Sequence, residues 1–157
     1  MIHLINKNIL FTLPIFNRQL KNGKFKKSAK KICVRNIYCV GQNYRAHAQE
    51  MGTNPDRDDP VFFRKPVDSL VPEGGFVNYP RETKNLQFEI ELVVVLKGKG
   101  EKLSLKNAKK IILGYAVGID LTRRDLQKIA KKKGMPWDMA KGFPGSAPCS
   151  AIVTSKI

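Results

Sequence analysis

The sequence predicts an α+β fold that is rich in strands and has few, short helices. Apolar runs of strand length recur along the chain, while helical patterns are short and separated by turn residues. The clearest strand covers residues 86–96, where the side chains alternate with a period of two. With 157 residues, 42% of them hydrophobic, the chain suits one domain with one core.

The strands are expected to begin after a basic N-terminal extension. This extension covers residues 1–33 and has room for one short strand. A helical patch is expected after Asn43, followed by a loop over 51–59, where Gly, Asn, Pro and Asp are dense. Apolar and β-branched residues predict strands at 37–40, 61–63, 86–96 and 115–119.

Two helices are expected in the second half of the chain. Ser104 can cap a helix that runs through Ile112, and Thr122 can cap a basic helix that runs to about Lys133. No apolar run approaches the length of about twenty residues that a membrane span needs, so we expect a soluble, cytoplasmic protein. The three cysteines show no CxxC spacing, which favours free thiols over disulfides or a zinc site.

The net charge of +16, from 29 basic against 13 acidic residues, raises the question of a nucleic-acid partner. The lysines lie in scattered groups, and no basic stripe is interleaved with stacking aromatic residues. We therefore expect a solvated basic surface, with neither nucleic acid nor membrane as partner. Residues 1–49 contain no acid, as in an organellar transit peptide, but a cleaved leader would cover at most about the first thirty residues.

The most informative feature is a pair of carboxylates, Glu89 and Glu91, inside the apolar run 86–96. The period of two puts both on one face of a strand that is expected to be buried, with Val93 and Val95 beside them. The opposite face is wholly apolar. Two anions side by side near a core repel unless a cation lies between them, and a hard divalent metal ion is the usual solution.

A third carboxylate, Asp120, ends the predicted strand at 115–119. Glu89, Glu91 and Asp120 together offer three oxygen ligands, which suits Mg²⁺ or Mn²⁺ with positions left for water and substrate. No cysteine or histidine accompanies them, which disfavours zinc. The alternative for an isolated Glu-x-Glu is a solvated edge strand whose acids pair with nearby lysines.

Five segments, taken in order, resemble the motifs of the fumarylacetoacetate hydrolase family, and the match spans residues 34–152. The similarity is greatest to its bacterial fumarylpyruvate and acylpyruvate hydrolases. The resemblance implies the β-rich mixed-sheet roll of that family, with residues 34–157 as the N-terminal part of its catalytic domain. The segments are 37–47 (IYCVGQNYRAH), 61–66 (VFFRKP), 89–91 (EIE), 118–127 (GIDLTRRDLQ) and 141–143 (KGF).

The resemblance also implies roles for nine side chains. The metal ligands for Mg²⁺ or Mn²⁺ are Glu89, Glu91 and Asp120. The catalytic residues are His47, Glu50 and Lys141. The substrate contacts are Gln127, Lys65 and Arg124. On a helix, His47 and Glu50 share a face, so that Glu50 can orient the imidazole while His47 takes a proton from water. Lys141 would stabilise negative charge as the carbon–carbon bond breaks.

The chain departs from the family pattern at several points. Gln42 stands where the family usually has Arg, and Phe88 replaces a frequent His. Pro144 stands where the family has an acid, which bears on the orientation of Lys141. The family continues past the equivalent of Ile157 with a loop that closes the substrate pocket. We therefore expect a domain that is incomplete at its C-terminus.

The function expected from these observations is metal-dependent hydrolysis of a carbon–carbon bond in an acylpyruvate, a 1,3-diketo acid, which gives pyruvate and a carboxylic acid. Fumarylpyruvate is the first choice of substrate. The alternatives are an oxaloacetate decarboxylase or a diketo-acid isomerase of the same family, which would use the same metal and enolate, and an inactive truncated remnant. The resemblance implies a homodimer for a full-length chain.

Overall fold

The computed structural model describes residues 12–19, 25–41, 43–44 and 59–154. His47 and Glu50, the helical patch expected after Asn43 and most of the loop over 51–59 lie outside the described residues.

The described residues form mainly strands. The strands are β1 (Thr12–Gln19), β2 (Phe25–Cys33), β3 (Ile37–Gly41), β4 (Val61–Lys65), β5 (Leu70–Pro72), β6 (Leu86–Leu96), β7 (Ile112–Arg123), β8 (Ala147–Cys149) and β9 (Ile152–Thr154). The helices are α1 (Leu105–Lys110), α2 (Arg124–Lys132) and α3 (Asp138–Lys141), with a 3₁₀ turn at Val67–Ser69. None of the helices in the described ranges is both long and apolar enough to cross a membrane.

Within the described residues, the strands make one mixed sheet of seven and a separate hairpin-like pair. The large sheet has the order β2-β1-β9-β7-β8-β5, and β6 pairs with the other edge of β7. The β1–β9 and β5–β8 pairs are parallel and the others are antiparallel. β3 and β4 form the second, antiparallel sheet. This mixed-sheet architecture with few short helices confirms the predicted α+β class.

The core lies where β1, β7, β8 and β9 meet. Gly114 in β7 allows the close approach of β9, because a Cβ at this position would lie only 2.2 Å from the carbonyl oxygen of Val153. Partly buried residues of β2, β3 and β6 pack around this centre. The buried cluster consists of Leu13, Ile15, Leu70, Ala116, Cys149 and Ile152.

The N-terminal residues contribute more to the fold than the predicted extension suggests. β1 and β2 pair over most of their lengths, and Ile15 of β1 lies beside Ile152 of β9. Leu13 and Ile15 alternate along β1 and are both buried. Pro14 interrupts the apolar pattern in the sequence, but a proline is compatible with a strand where its missing donor is not needed.

The two faces of β6 are as the period of two predicts, but only one of them is covered by the protein. The face that carries Glu89, Glu91, Val93 and Val95 is half-buried against the protein. The wholly apolar face is exposed, with exposed fractions of 46–70%. Its residues are Phe88, Ile90, Leu92, Val94 and Leu96. The prediction of a buried strand was therefore wrong for this face, because no described element covers it.

The helix boundaries differ from the predicted ones at two points. Ser104 caps α1 as predicted, because its side chain accepts a hydrogen bond from the amide of Asn107. The helix ends at Lys110, and Ile112 already belongs to β7. Thr122 is no cap, since β7 continues through Arg123 and the Thr122 hydroxyl donates to the carbonyl of Asp120.

Candidate active site

Strand register places the three predicted metal ligands in one row. Glu89 of β6 lies directly opposite Asp120 of β7, and Glu91 lies opposite Gly118. Residues that face each other in an antiparallel pair project to the same side of the sheet. The three carboxylates therefore share one face, with Asp120 buried and the two glutamates half-buried.

The ammonium of Lys141 lies between two of these carboxylates. Its Nζ donates to Oε2 of Glu89 at 2.8 Å and to Oδ2 of Asp120 at 2.7 Å. The short helix α3 presents Lys141 at its last residue, and the following Phe143 is buried. Lys141 is therefore directed at the carboxylate row, although Pro144 stands where the family has an acid.

Arg124, at the start of α2, links this row to Gln127. Its guanidinium donates to Oε1 of Glu89 at 2.5 Å, to Oε1 of Gln87 at 2.8 Å and to Oε1 of Gln127 at 2.6 Å. Gln127 is buried, and its amide oxygen is occupied by this bond, which leaves its NH₂ group as the donor. Arg124 therefore orients both Glu89 and Gln127.

Lys65 lies in the interior of the domain, beside Asp120. Its side chain is only 2% exposed, and its Nζ lies 2.9 Å from Oδ1 of Asp120. It also donates to the carbonyls of Leu121 and Lys141 and to the hydroxyl of Ser146. Internal acceptors occupy the ammonium, so Lys65 anchors Asp120 and the end of α3. Its role as an anion contact for substrate stays a prediction.

The surroundings of the row shift the pKa values of Glu89 and Glu91 in opposite directions. Burial acts to raise the pKa of Glu89, but the hydrogen bonds and charges of Lys141 and Arg124 hold it below its ordinary value. Burial and the neighbouring charges of Asp120 and Glu89 raise the pKa of Glu91. Among the described residues, no lysine or arginine pairs with Glu91. A hydrogen bond between Tyr44 and Glu91 and the charge of Lys141 act to lower the pKa of Glu91, but they do not cancel the rise.

The oxygen chemistry of the row fits Mg²⁺ or Mn²⁺. Glu89 and Asp120 already converge on one cation, the Lys141 ammonium, and Glu91 lies next to them without one. As the side chains stand, no three acidic, histidine or cysteine residues of the described ranges are gathered closely enough to hold a metal ion. Glu89, Glu91 and Asp120 are the residues that would bind such an ion.

Two residues at the site were missed by the sequence analysis. Ser146 is fully buried, and its hydroxyl donates to the carbonyl of Lys141 while accepting from Lys65. Cys39 of β3 is close enough to feel the charges of Asp120 and Lys65, and burial raises the pKa of its thiol to about 11. The proximity of Ser146 to Lys141 in the sequence was the only available signal for it.

The described part of the chain is thus a mixed β-sheet domain with three carboxylates and a buried lysine at one face of the sheet. The family model for the fumarylacetoacetate (FAA) hydrolase C-terminal domain matches residues 36–157. The chain belongs to the fumarylacetoacetate hydrolase family, as the sequence motifs predicted.

Curated relatives carry two different names. The mouse protein named mitochondrial oxaloacetate tautomerase FAHD1 is 44% identical over 119 residues, which are 76% of this chain and 53% of the relative. The Dictyostelium discoideum protein named mitochondrial oxaloacetate decarboxylase is 39% identical over 120 residues, which are 76% of this chain and 55% of the relative. The chain spans about half the length of the curated relatives it matches.

A solved structure shows the same fold. It is that of fumarylpyruvate hydrolase from Pseudomonas aeruginosa in complex with Mn²⁺ and pyruvate. The two proteins are 39% identical with a TM-score of 0.77, and the match covers 97% of this chain and 63% of the relative. The β-rich roll of this family, predicted from the motifs, is thereby confirmed.

Proposed function

We propose that the chain carries the metal-binding part of an acylpyruvate hydrolase site, with Glu89, Glu91 and Asp120 as ligands of Mg²⁺ or Mn²⁺. The observation that carries this proposal is the convergence of Glu89 and Asp120 on the Lys141 ammonium at 2.8 and 2.7 Å. A related fumarylpyruvate hydrolase with Mn²⁺ and pyruvate supports it. A bound metal ion would act as a Lewis acid toward the 2-oxo acid end of the substrate.

Side chains of the chain would carry out the remaining steps of the hydrolysis. His47, oriented by Glu50, takes a proton from water, whose hydroxyl adds to the C4 carbonyl carbon of the diketo acid. The bond between C3 and C4 then breaks, and its electron pair passes to the pyruvate enolate. Protonation of C3 gives pyruvate, and the acyl group leaves as a carboxylic acid.

Lys141 and Gln127 would stabilise the negative charge that develops on the substrate as the enolate forms. The ammonium of Lys141 is held by two carboxylates at the site, so a positive charge is in place where the enolate forms. The Gln127 amide keeps its NH₂ group available because Arg124 occupies its oxygen, which supports a donor role toward a substrate oxygen. Arg124 would then act on substrate through Gln127 and Glu89.

Oxaloacetate chemistry is the second candidate. Relatives 39–44% identical to the chain are named as an oxaloacetate decarboxylase and an oxaloacetate tautomerase. Both reactions pass through an enolate of the same 2-oxo acid unit, so the same row of residues would serve them. The water-activating pair predicted at His47 and Glu50 favours hydrolysis.

An assay of the purified chain with Mg²⁺ or Mn²⁺ tests the proposal. We expect 2,4-dioxo acids, fumarylpyruvate among them, to lose their enol absorbance and release pyruvate. Lys141→Met is expected to remove this turnover. Tautomerisation or decarboxylation of oxaloacetate without cleavage of 2,4-dioxo acids would favour the second candidate. Metal binding with no turnover on any of these acids would identify an inactive remnant.

We also propose that the full-length protein forms a homodimer and is located in the cytoplasm. Sedimentation of the purified chain measures the first, and imaging of a tagged chain measures the second.

A further inference from the structure

Two tyrosine hydroxyls accept hydrogen bonds from main-chain amides at the outer edge of β6. Among the described strands, β7 alone pairs with β6, so every second residue of β6 directs its amide and carbonyl away from β7. Leu86 and Leu92 are an even number of residues apart and therefore share this direction. The amide of Leu86 donates to Oη of Tyr79 at 3.3 Å, and the amide of Leu92 donates to Oη of Tyr44 at 3.2 Å.

Tyr44 also makes a hydrogen bond to a residue of the carboxylate row. Its hydroxyl bonds the side chain of Glu91, the residue that precedes Leu92 in β6. A phenol hydroxyl can accept one hydrogen bond while it donates another. Oη of Tyr44 therefore accepts from the amide of Leu92 and donates to the carboxylate of Glu91. This pair of bonds ties the side chain of Glu91 to the main chain of its own strand.

Glu91 has fewer restraints than the other two carboxylates of the row. Those two are held by buried or half-buried lysine and arginine side chains, and no basic side chain of the described ranges pairs with Glu91. Across the β6–β7 pair, Glu91 lies opposite Gly118. A Cβ at position 118 would lie only 2.7 Å from Cγ2 of Val93, so β7 supplies no side chain at this point. The direction of the Glu91 carboxylate therefore depends on Tyr44.

We propose that Tyr44 is a positioning residue of the metal site, whose hydroxyl, fixed by the amide of Leu92, directs the carboxylate of Glu91 toward Glu89 and Asp120. The inference rests on the proposed function, because it requires Glu91 to be a metal ligand. Hydrogen-bond partners of ligating side chains orient the ligand, and their loss costs about 10–100-fold in metal affinity. Tyr44 would thus act on the bound ion through Glu91.

Tyr44→Phe and Tyr79→Phe form a matched pair that tests this role. Each variant keeps its ring and loses one hydroxyl that accepts from an amide of β6, but only the Tyr44 hydroxyl also bonds a predicted ligand. We expect the dissociation constant for Mn²⁺, measured by calorimetry, to rise by about 10–100-fold in Tyr44→Phe and to stay unchanged in Tyr79→Phe. Both rings are exposed, at 47% and 61%, so both variants should fold, with similar midpoints in urea.

A second background shows whether Tyr44 acts through Glu91. In Glu91→Gln the residual affinity for Mn²⁺ is measured from the electron paramagnetic resonance signal of the free ion. Adding Tyr44→Phe to this variant should lower the affinity no further, because the carboxylate that Tyr44 positions is already lost. Losses that multiply in the double variant would show that Tyr44 acts independently of Glu91 and would contradict the inference.

A measurement on the unaltered chain needs no variant to fold. The chain contains four tyrosines, and a ¹³C label at the ring ζ-carbon gives one signal for each. We expect the signal of Tyr44 to move as Mg²⁺ is added, because an ion bound to Glu91 changes the hydrogen bond that the Tyr44 hydroxyl donates. Binding of Mg²⁺ without movement of any tyrosine signal would contradict the inference.

The results that overturn the inference differ in what else they reject. If the unaltered chain binds Mn²⁺ and the affinities of Tyr44→Phe and Tyr79→Phe are equal, Tyr44 does not position Glu91, while the proposed metal site stands. If the unaltered chain binds neither Mn²⁺ nor Mg²⁺, both the inference and the proposed function are wrong.

Discussion

At the scale of single residues, hydrogen-bond partners distinguish two lysines that are equally buried. Lys65 and Lys141 are both almost fully buried and both contact Asp120, but Lys65 also binds main-chain carbonyls. Burial lowers the pKa of Lys65, and the charge of Asp120 partly offsets this effect. Lys65 is thus a buried counter-ion of Asp120, a contact that its position in a sequence motif does not reveal.

Replacing Lys65 should destabilise the fold. Lys65→Met leaves Asp120 without one of its two buried counter-ions, and breaking a buried pair costs about 3–5 kcal/mol. Urea denaturation measures the change in the free energy of unfolding. Lys106→Met, at an exposed position, is the matched control and should stay within about 0.5 kcal/mol. Equal effects of the two substitutions would contradict the buried role of Lys65.

The sequence predicted which of these side chains lie together better than it predicted their contacts. The period of two in β6 was enough to place Glu89 and Glu91 on one face, and the motifs indicated Asp120 and Lys141. The pairing of Arg124 with Gln127 follows from the helical turn between them, but the bond to Glu89 requires the tertiary fold. Ser146 gave only the weak signal of its closeness to Lys141 in the sequence, because its bond to a main-chain carbonyl depends on the tertiary fold.

At the scale of elements, Asp125 ties the start of α2 to the segment before β6. Its carboxylate accepts from the hydroxyl of Thr83 at 2.5 Å and from the amide of Lys84 at 2.9 Å. The Thr83 bond is the largest of the effects that hold the pKa of Asp125 below its ordinary value. α2 begins at Arg124 without a side-chain cap from Arg123, so this link positions the helix that carries Arg124 and Gln127.

This link predicts a pH dependence of stability. Because the pKa of Asp125 is lower in the folded than in the unfolded chain, its contribution is present above the unfolded value, about 3.9, and is lost as the pH falls through the folded value. Asp125→Asn should therefore be less stable than the original chain at pH 7, with the gap closing at acid pH. Urea denaturation at a series of pH values measures it, and a gap independent of pH would contradict the assignment.

Element boundaries were predicted less well than element types. β7 runs from Ile112 to Arg123, beyond the predicted strand at both ends, because it pairs with β6 over nearly its whole length. Such pairing is a tertiary effect that overrides the local preference of Thr122 for a helix cap. β1 was underestimated for the same reason, since one of its two partners, β9, lies far along the chain.

At the scale of the whole molecule, the exposed apolar face of β6 is the largest departure from expectation. Val117 and Tyr115 of β7 are also exposed, and they lie opposite Leu92 and Val94. Alternation alone predicts which side chains share a face, but it leaves open which face the protein covers. A contiguous apolar surface of this kind is unusual for an isolated globular domain.

This surface should bind apolar dyes. Leu92→Lys places a charge at its centre and should lower the fluorescence of bound anilinonaphthalene sulfonate, while metal binding is retained. Leu105→Lys, which replaces an apolar residue with 84% exposure outside β6 and β7, serves as the control. Equal dye binding by the original chain and Leu92→Lys would contradict the exposure of this face.

The central claim is that the row of Glu89, Glu91 and Asp120 binds a divalent metal ion, and calorimetric titration with Mn²⁺ tests it most directly. We predict one ion per chain, with the affinity lowered by about 100-fold or more in Glu91→Gln, because Glu91 has no other cation in contact among the described residues. Glu101→Gln, at an exposed position, should leave the affinity unchanged. Mn²⁺ binding that survives Glu91→Gln unaltered, or no binding by the original chain, would contradict the account.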